Sequence, residues 1–308
     1  MRYRRIPRTD ITVSEIGLPV NDLIDPQRRS LDQAGAERLL QRAVELGVTL
    51  FSVPDFPDQG EGEALMAAAF PRRRHEIVIA ATGGYDWYTP PHLRKTGAIA
   101  QAWTPDFVRK ACEASLKRLH TDYIDLYLLH YPGMRALESE ELFDALATLR
   151  REGKMRHYGV ALGPGMSWDE EGEMALKERK VVCAQAIYNI LQQKPTRQLF
   201  PLAKTYESGI IAANPLAVGV LDASESSNDP RLRELQFLRR NYDSTLAQAA
   251  IKFALADPSV VSTLPAIQRE DRLAELAAAA DLPAMAPDDL QQLRDLYDAG
   301  FGIKGSVS

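Results

Sequence analysis

Short runs rich in β-branched and other apolar residues recur eight times along the chain: Glu15–Leu18, Thr49–Phe51, Glu76–Ala81, Ile124–Leu129, His157–Val160, Val182–Ala186, Ile210–Ala213 and Val260–Leu264. Between them, stretches such as Leu31–Leu46, Pro105–Leu119, Leu142–Glu152, Ser244–Leu255 and Arg269–Ala280 repeat their apolar residues at helical spacing. Helix starts and stops are marked. Thr104-Pro105 is an N-cap followed by proline in the first turn, and Gly47, Gly153 and Gly209 fall just past helices, where a left-handed residue is wanted. Eight β–α units of parallel-strand composition predict an α/β fold, a closed (β/α)8 TIM barrel. A doubly wound open sheet is the structural alternative. The first strand is not followed by a glycine-rich turn, which argues against a dinucleotide-binding version of that sheet. Tyr3 to Ser14 reads as a small N-terminal β-hairpin placed to plug the barrel floor, and residues 284–298 as an extra C-terminal helix. Thr89–Thr104 and Ser224–Pro230 read as loops.

The chain has 308 residues, 45% of them apolar and 26% charged, and is expected to form one domain over residues 1–308. The formal net charge of −5 favours neither a phosphate backbone nor an anionic membrane surface. Arg72-Arg73-Arg74 reads as a solvated turn between a helix and a strand. Cys112 and Cys183 sit in apolar runs as small core residues, with neither metal-ligand spacing nor a disulfide framework. The opening residues lack the apolar core of a secretion signal, and no apolar run reaches membrane-spanning length, so the expected location is the cytoplasm. The partners expected are a small-molecule ligand and, as an open option, another protein, but neither nucleic acid nor membrane.

Several long segments resemble the signatures of the aldo/keto reductase family, in order and across nearly the whole chain. RYRRIPRTDITVSEIGL resembles the family's first hairpin and strand, and GVTLFSVPDFPDQGEGEAL its GxxxFDTAxxYGxGxxExL. DFVRKACEASLKRLHTDYIDLYLLHYP resembles the third helix and fourth strand, and GKMRHYGVALGP, QAIYNILQQKP and TLAQAAIKFALADPSVVSTLPAI match later segments. GVALGP and LYDAGFGIK resemble one bacterial branch of oxidoreductases. The resemblance implies hydride transfer from NADPH to a carbonyl. In that chemistry a tyrosine protonates the developing alkoxide, a lysine paired with an aspartate lowers the tyrosine's pKa, and a histidine orients the carbonyl. A phenol near pKa 10 exchanges protons poorly at pH 7 until a buried cation favours the phenolate.

Set on that pattern, the family's aspartate falls on Ser52, its tyrosine on Pro57 and its lysine on Thr82, while the histidine is kept as His130. Serine and threonine hydroxyls are too basic to serve as tuned relays, and proline has no proton to give. A missing catalytic acid costs about 10²–10⁴-fold in rate. Asp55, Tyr85, Trp87 and Tyr88 are candidate pocket residues, with ordinary scaffold or loop cover as the alternative reading. Asp58 and Glu61 share the Asp55 loop and read as solvated.

The resemblance also marks cofactor positions. Gln185 falls where the family binds the nicotinamide amide, with Tyr188 and Asn189 following. The family's Ser-Asn pair after the fifth strand reads Ala161-Leu162. Its stacking tyrosine reads Ala213, within Ala213-Asn214-Pro215-Leu216, and the loop Gly219–Pro230 is shorter than expected. Arg269 and Arg272 stand where a 2′-phosphate is held at a helix N-terminus, opposed by Glu270 and Asp271. The cofactor is therefore either none or NADP(H).

Three functions remain open at this point. The first is a small-molecule-binding pseudoenzyme, regulatory or scaffold protein on an intact barrel. The second is a repurposed isomerase or lyase in which His130, Asp55, Asp58 and Tyr85 converge within hydrogen-bond reach. The third is an NADP(H)-dependent oxidoreductase with an unusual proton donor. Family membership alone cannot choose among them.

Overall fold

The computed structural model describes residues 1–24, 31–94, 98–164, 168–222 and 229–302. Ten strands are present among the described residues. β1 (Tyr3–Arg5) and β2 (Thr12–Ser14) form an antiparallel hairpin. The other eight are β3 (Leu18–Pro19), β4 (Leu50–Pro54), β5 (Val78–Gly83), β6 (Ile124–His130), β7 (Met155–Ala161), β8 (Cys183–Ile187), β9 (Gly209–Ala213) and β10 (Val260–Leu264). They pair in sequence order, all parallel, from β3 to β10. Hydrogen bonds between the two ends complete the ring. Gly17 N donates to Thr263 O at 2.8 Å and Thr263 N to Glu15 O at 2.8 Å, around an Ile16–Thr263 bridge. The expected (β/α)8 barrel is the observed architecture, with the N-terminal hairpin and a final helix, Pro287–Asp298.

All eight sequence-predicted strands exist, most of them shifted or extended by a few residues. β4 and β5 continue beyond Phe51 and Ala81 to Pro54 and Gly83. The first strand is only two residues long, with Ile16 contributing a bridge below it. The helix on Leu31–Leu46 runs over Gln33–Glu45, started by Asp32, whose carboxylate accepts from Gly35 N at 2.8 Å. Thr104 caps Pro105–Arg118 in the same way. The predicted Thr89–Thr104 loop holds a short 3-10 turn at Pro91–Leu93, and its residues 95–97 lie outside the described residues. Of the loop Ser224–Pro230, only 229 and 230 are described, and Pro230 already begins the helix Pro230–Glu234. Among the described residues no helix is long and apolar enough to cross a membrane.

Two apolar layers follow from strand alternation, which sends successive side chains to opposite faces. One set, including Phe51, Ile79, Leu129 and Val160, packs outward under the helices. The other, Leu50, Val78, Ala80, Leu126, Leu128, Cys183 and Ile211, fills the barrel interior together with Ile6, Ile11 and Val13 of the hairpin. The hairpin is therefore a floor plug, and the interior below the mouth is solid side chain rather than channel.

Candidate functional site

The inward columns of the strands end in polar groups. Above Leu50 comes Ser52, above Ala80 comes Thr82, above Leu128 comes His130 and above Cys183 comes Gln185. All four line a cleft of about 890 Å³ at the carboxyl ends of the strands. Thr82 Oγ1 lies 3.4 Å from His130 Nδ1, and Ser52 Oγ donates to Gln185 Oε1 at 3.5 Å. Phe56, Pro57 and Tyr131 form part of the wall, Asn214 lies above β9, and Asp222, Arg269 and Arg272 stand at the far rim. The four positions matched to the reductase chemistry, Ser52, Pro57, Thr82 and His130, thus share one cavity.

Burial pushes the His130 imidazole down to about 4, so it is neutral at physiological pH. The edge of Tyr85 meets it at 5.1 Å between ring centroids, and Tyr131 at 4.4 Å. Tyr131 has φ 56° and both its carbonyl and that of His130 accept from Gln101 Nε2, at 2.9 and 3.0 Å, which ties the strand end to the loop after β5. Burial, then the neighbouring Tyr85, raise the Tyr131 phenol. Sequence reading passed over Tyr131. Its signal was its place one residue beyond His130 at a strand's carboxyl end.

Asp55, Trp87 and Tyr88 occupy different ground. They do not line the cleft but sit behind its wall, between the helices Glu61–Ala69 and Pro105–Arg118. Asp55 is fully buried, and its Oδ2 accepts from Trp87 Nε1 at 3.3 Å and Tyr88 OH at 3.2 Å. Burial, then the charge of Glu63, raise its carboxyl to about 7. Arg118 holds the cluster together. Its Nε donates to Glu63 Oε2 at 2.5 Å, and its terminal nitrogen to Tyr88 OH at 3.2 Å, while its guanidinium lies over the Trp87 ring. Gly60 lets that guanidinium approach: its φ is +84°, and a Cβ there would lie 2.3 Å from Arg118 Nε. Tyr85 stacks on Phe56 at 4.6 Å and so backs the wall.

Asp58 caps the next helix, accepting from Gly60 N at 3.1 Å and Gly62 N at 3.3 Å, and burial raises it to about 6. The convergence expected of His130, Asp55, Asp58 and Tyr85 in a non-redox enzyme is therefore not found. Only Tyr85 touches His130, and by a ring edge. Asp58, expected to be solvated, is spent on the helix start.

At the cofactor positions, Gln185 and Asn214 face the cleft. Asn214, at φ 55°, accepts from Val218 N through its side chain at 2.8 Å. Arg269 and Arg272 reach the rim but meet carboxylates of the same chain. Arg269 binds both oxygens of Asp271, and Arg272 bridges Asp222 and Glu275. Glu275 was legible as the i+3 acid to Arg272 on a helix. Asp222 was not, because it arrives from a loop fifty residues earlier. Cys112 and Cys183 are buried free thiols, each pushed up to about 12, as befits inert core residues.

The chain matches the model of the "Aldo/keto reductase family" over residues 23–298. It is 27% identical to an uncharacterised oxidoreductase, YqkF of Bacillus subtilis, over 97% of this chain and 99% of that one. Among solved structures, the holo form of aldo-keto reductase AKR11C1 from Bacillus halodurans superposes with a TM-score of 0.80 at 24% identity, covering 96% of each chain. The thermostable aldo-keto reductase Tm1743, in complex with the inhibitor epalrestat, gives 0.76 at 25% identity, covering 96% of this chain and all of that one. With the barrel, its plug and a mouth built from the aligned strand ends, these likenesses establish that the chain belongs to the aldo/keto reductase family.

Proposed function

We propose that this barrel binds a small polar molecule in its mouth and does not reduce carbonyls through the proton relay of its family. One observation carries the reading. Beside the retained His130 stand Thr82 at 3.4 Å, Ser52 and Pro57, so the place of the tuned phenol and its cation is taken by neutral hydroxyls and a pyrrolidine ring. Hydride addition to a carbonyl leaves an alkoxide that needs a proton at once. A neutral imidazole held near pKa 4 has no proton to spare at pH 7, and the lining cations, Arg269 and Arg272, belong to the far rim. The cleft instead offers hydroxyl, amide and imidazole groups, which suit hydrogen bonding to an uncharged polyhydroxyl or amide ligand. The family's NADP(H) fits in part only. Gln185 and Asn214 present amides to the cleft, as a nicotinamide carboxamide would require, whereas the rim arginines are already paired with acids.

A second reading, an oxidoreductase with a different donor, is favoured by Tyr131, whose phenol lines the cleft beside His130. Its pKa is displaced upward, the wrong direction for a relay. NADPH-linked turnover of an aldehyde panel decides between them. The unaltered protein is expected to turn over at least about 100-fold more slowly than Ser52→Asp/Pro57→Tyr/Thr82→Lys. Steady turnover by the unaltered protein that collapses in His130→Ala or Tyr131→Phe overturns the first reading and installs the second.

A further inference from the structure

The far rim presents two guanidiniums at the start of the nine-residue helix Glu270–Ala278, an arrangement suited to an anion. Both are in use. Arg269 grips Asp271 through two nitrogens, and that carboxyl falls to about 2, held first by the guanidinium and further by the backbone N–H of Arg272. The Asp271 carboxylate therefore sits where an incoming anion would find its donors. Arg272 lies between Asp222 and Glu275, and the free choice of Glu275 is removed by Thr245, whose hydroxyl donates to its other oxygen at 2.7 Å. Glu270, beside Asp271, is paired with Arg42 at 3.7 Å and adds no net charge. Against the two rim arginines the described residues thus set Asp222, Asp271 and Glu275.

We infer that this rim is an anion seat occupied by the chain's own carboxylates, so that the cleft discriminates against a ligand carrying a phosphate there, a ribose 2′-phosphate included, and accepts an unphosphorylated hydroxyl-bearing group instead. A phosphate entering the seat must displace three carboxylates already engaged in charge-assisted hydrogen bonds and must approach a rim whose net charge is negative. The inference goes beyond the proposed function and does not depend on it. It concerns equilibrium binding at the rim, whatever the floor does to a carbonyl.

The test is calorimetric titration of the whole chain with adenosine 2′,5′-bisphosphate and with 5′-AMP, at low and high salt. For the unaltered protein the bisphosphate is expected to bind no more tightly than 5′-AMP. In Asp222→Asn/Asp271→Asn/Glu275→Gln, the bisphosphate is expected to gain at least about tenfold in affinity, with the gain lost at high salt. Arg269→Ala/Arg272→Ala in the otherwise unaltered protein is expected to leave bisphosphate binding unchanged, since those guanidiniums are not available to it. If the unaltered protein binds the bisphosphate about tenfold more tightly than 5′-AMP, or if the double arginine variant loses that binding, the inference falls. Should neither nucleotide bind the unaltered protein, the three-fold acid variant decides. A gain supports the occupied seat, and a folded variant with no gain overturns it. Turnover assays do not enter these outcomes, so a failure here is separable from a failure of the functional reading.

Discussion

Asp55 is a carboxyl with no access to water, given two hydrogen bonds on one oxygen and none on the other. In the unfolded chain it ionises near 3.8, whereas in the fold it keeps its proton to about 7. Between those values the folded state holds the extra proton, so this residue's effect on stability is a loss as pH rises through the window. His130 acts in the opposite sense. Its folded pKa of about 4 lies below the ordinary 6.5, so stability falls on acidification across that interval. Comparison with Asp55→Asn, which keeps an acceptor for Trp87 and Tyr88, isolates the first effect. Between pH 5 and pH 8 the difference in unfolding free energy is expected to move in the variant's favour by about 2–4 kcal/mol. Chemical denaturation at the two pH values measures it, and an unchanged difference means the carboxyl does not titrate there. The shared mouth of Ser52, Thr82 and His130 was legible at this scale because strand registers carry the three there by simple alternation. The positions of Asp55, Trp87 and Tyr88 were not legible. They lie just past strand ends, where period-two alternation stops and packing against helices decides which way a side chain turns.

Among the elements, the hairpin does work out of proportion to its three-residue strands. Ile6 and Ile11 close the interior cluster from below and are fully buried. Ile11→Ala is expected to cost about 2–4 kcal/mol, because the rigid ring above it cannot collapse into the vacated space. A fall of several degrees in melting temperature, with the cleft's ligand behaviour unaltered, is the expected record. A loss below about 1 kcal/mol would mean the plug is loosely seated. The long helices were readable from their apolar spacing and caps. Shorter ones, such as Leu199–Thr205 and Gln236–Tyr242, complete barely two turns, too little for a periodic signal to rise above the loop around it. Arg118 shows a related limit. Its helix was predicted, but its task, pinning Glu63 and the Tyr88 loop together, depends on two other elements arriving beside it.

For the whole molecule, the parallel order of the sheet followed from eight apolar runs separated by helices, and the barrel then fixed which end must bear the site. Charge pairing at the rim lay beyond that logic, since Asp222 and Arg272 meet only because the ring brings distant loops together. The same ring has an effect on synthesis. Its closing staves are Glu15–Pro19 and Val260–Leu264, knit by the bonds of Thr263 with Gly17 and Glu15. Until a ribosome has released the last of these, the growing polypeptide carries two raw sheet borders, one at Leu18 and one along Gly209–Ala213. A polypeptide ended before Val260 is accordingly expected to emerge as aggregate, while one ended just after Asp298 folds; light scattering of the two translation products checks it. Closure of this vessel is the final act of its manufacture, and premature termination leaves adhesive fragments rather than a smaller working cup.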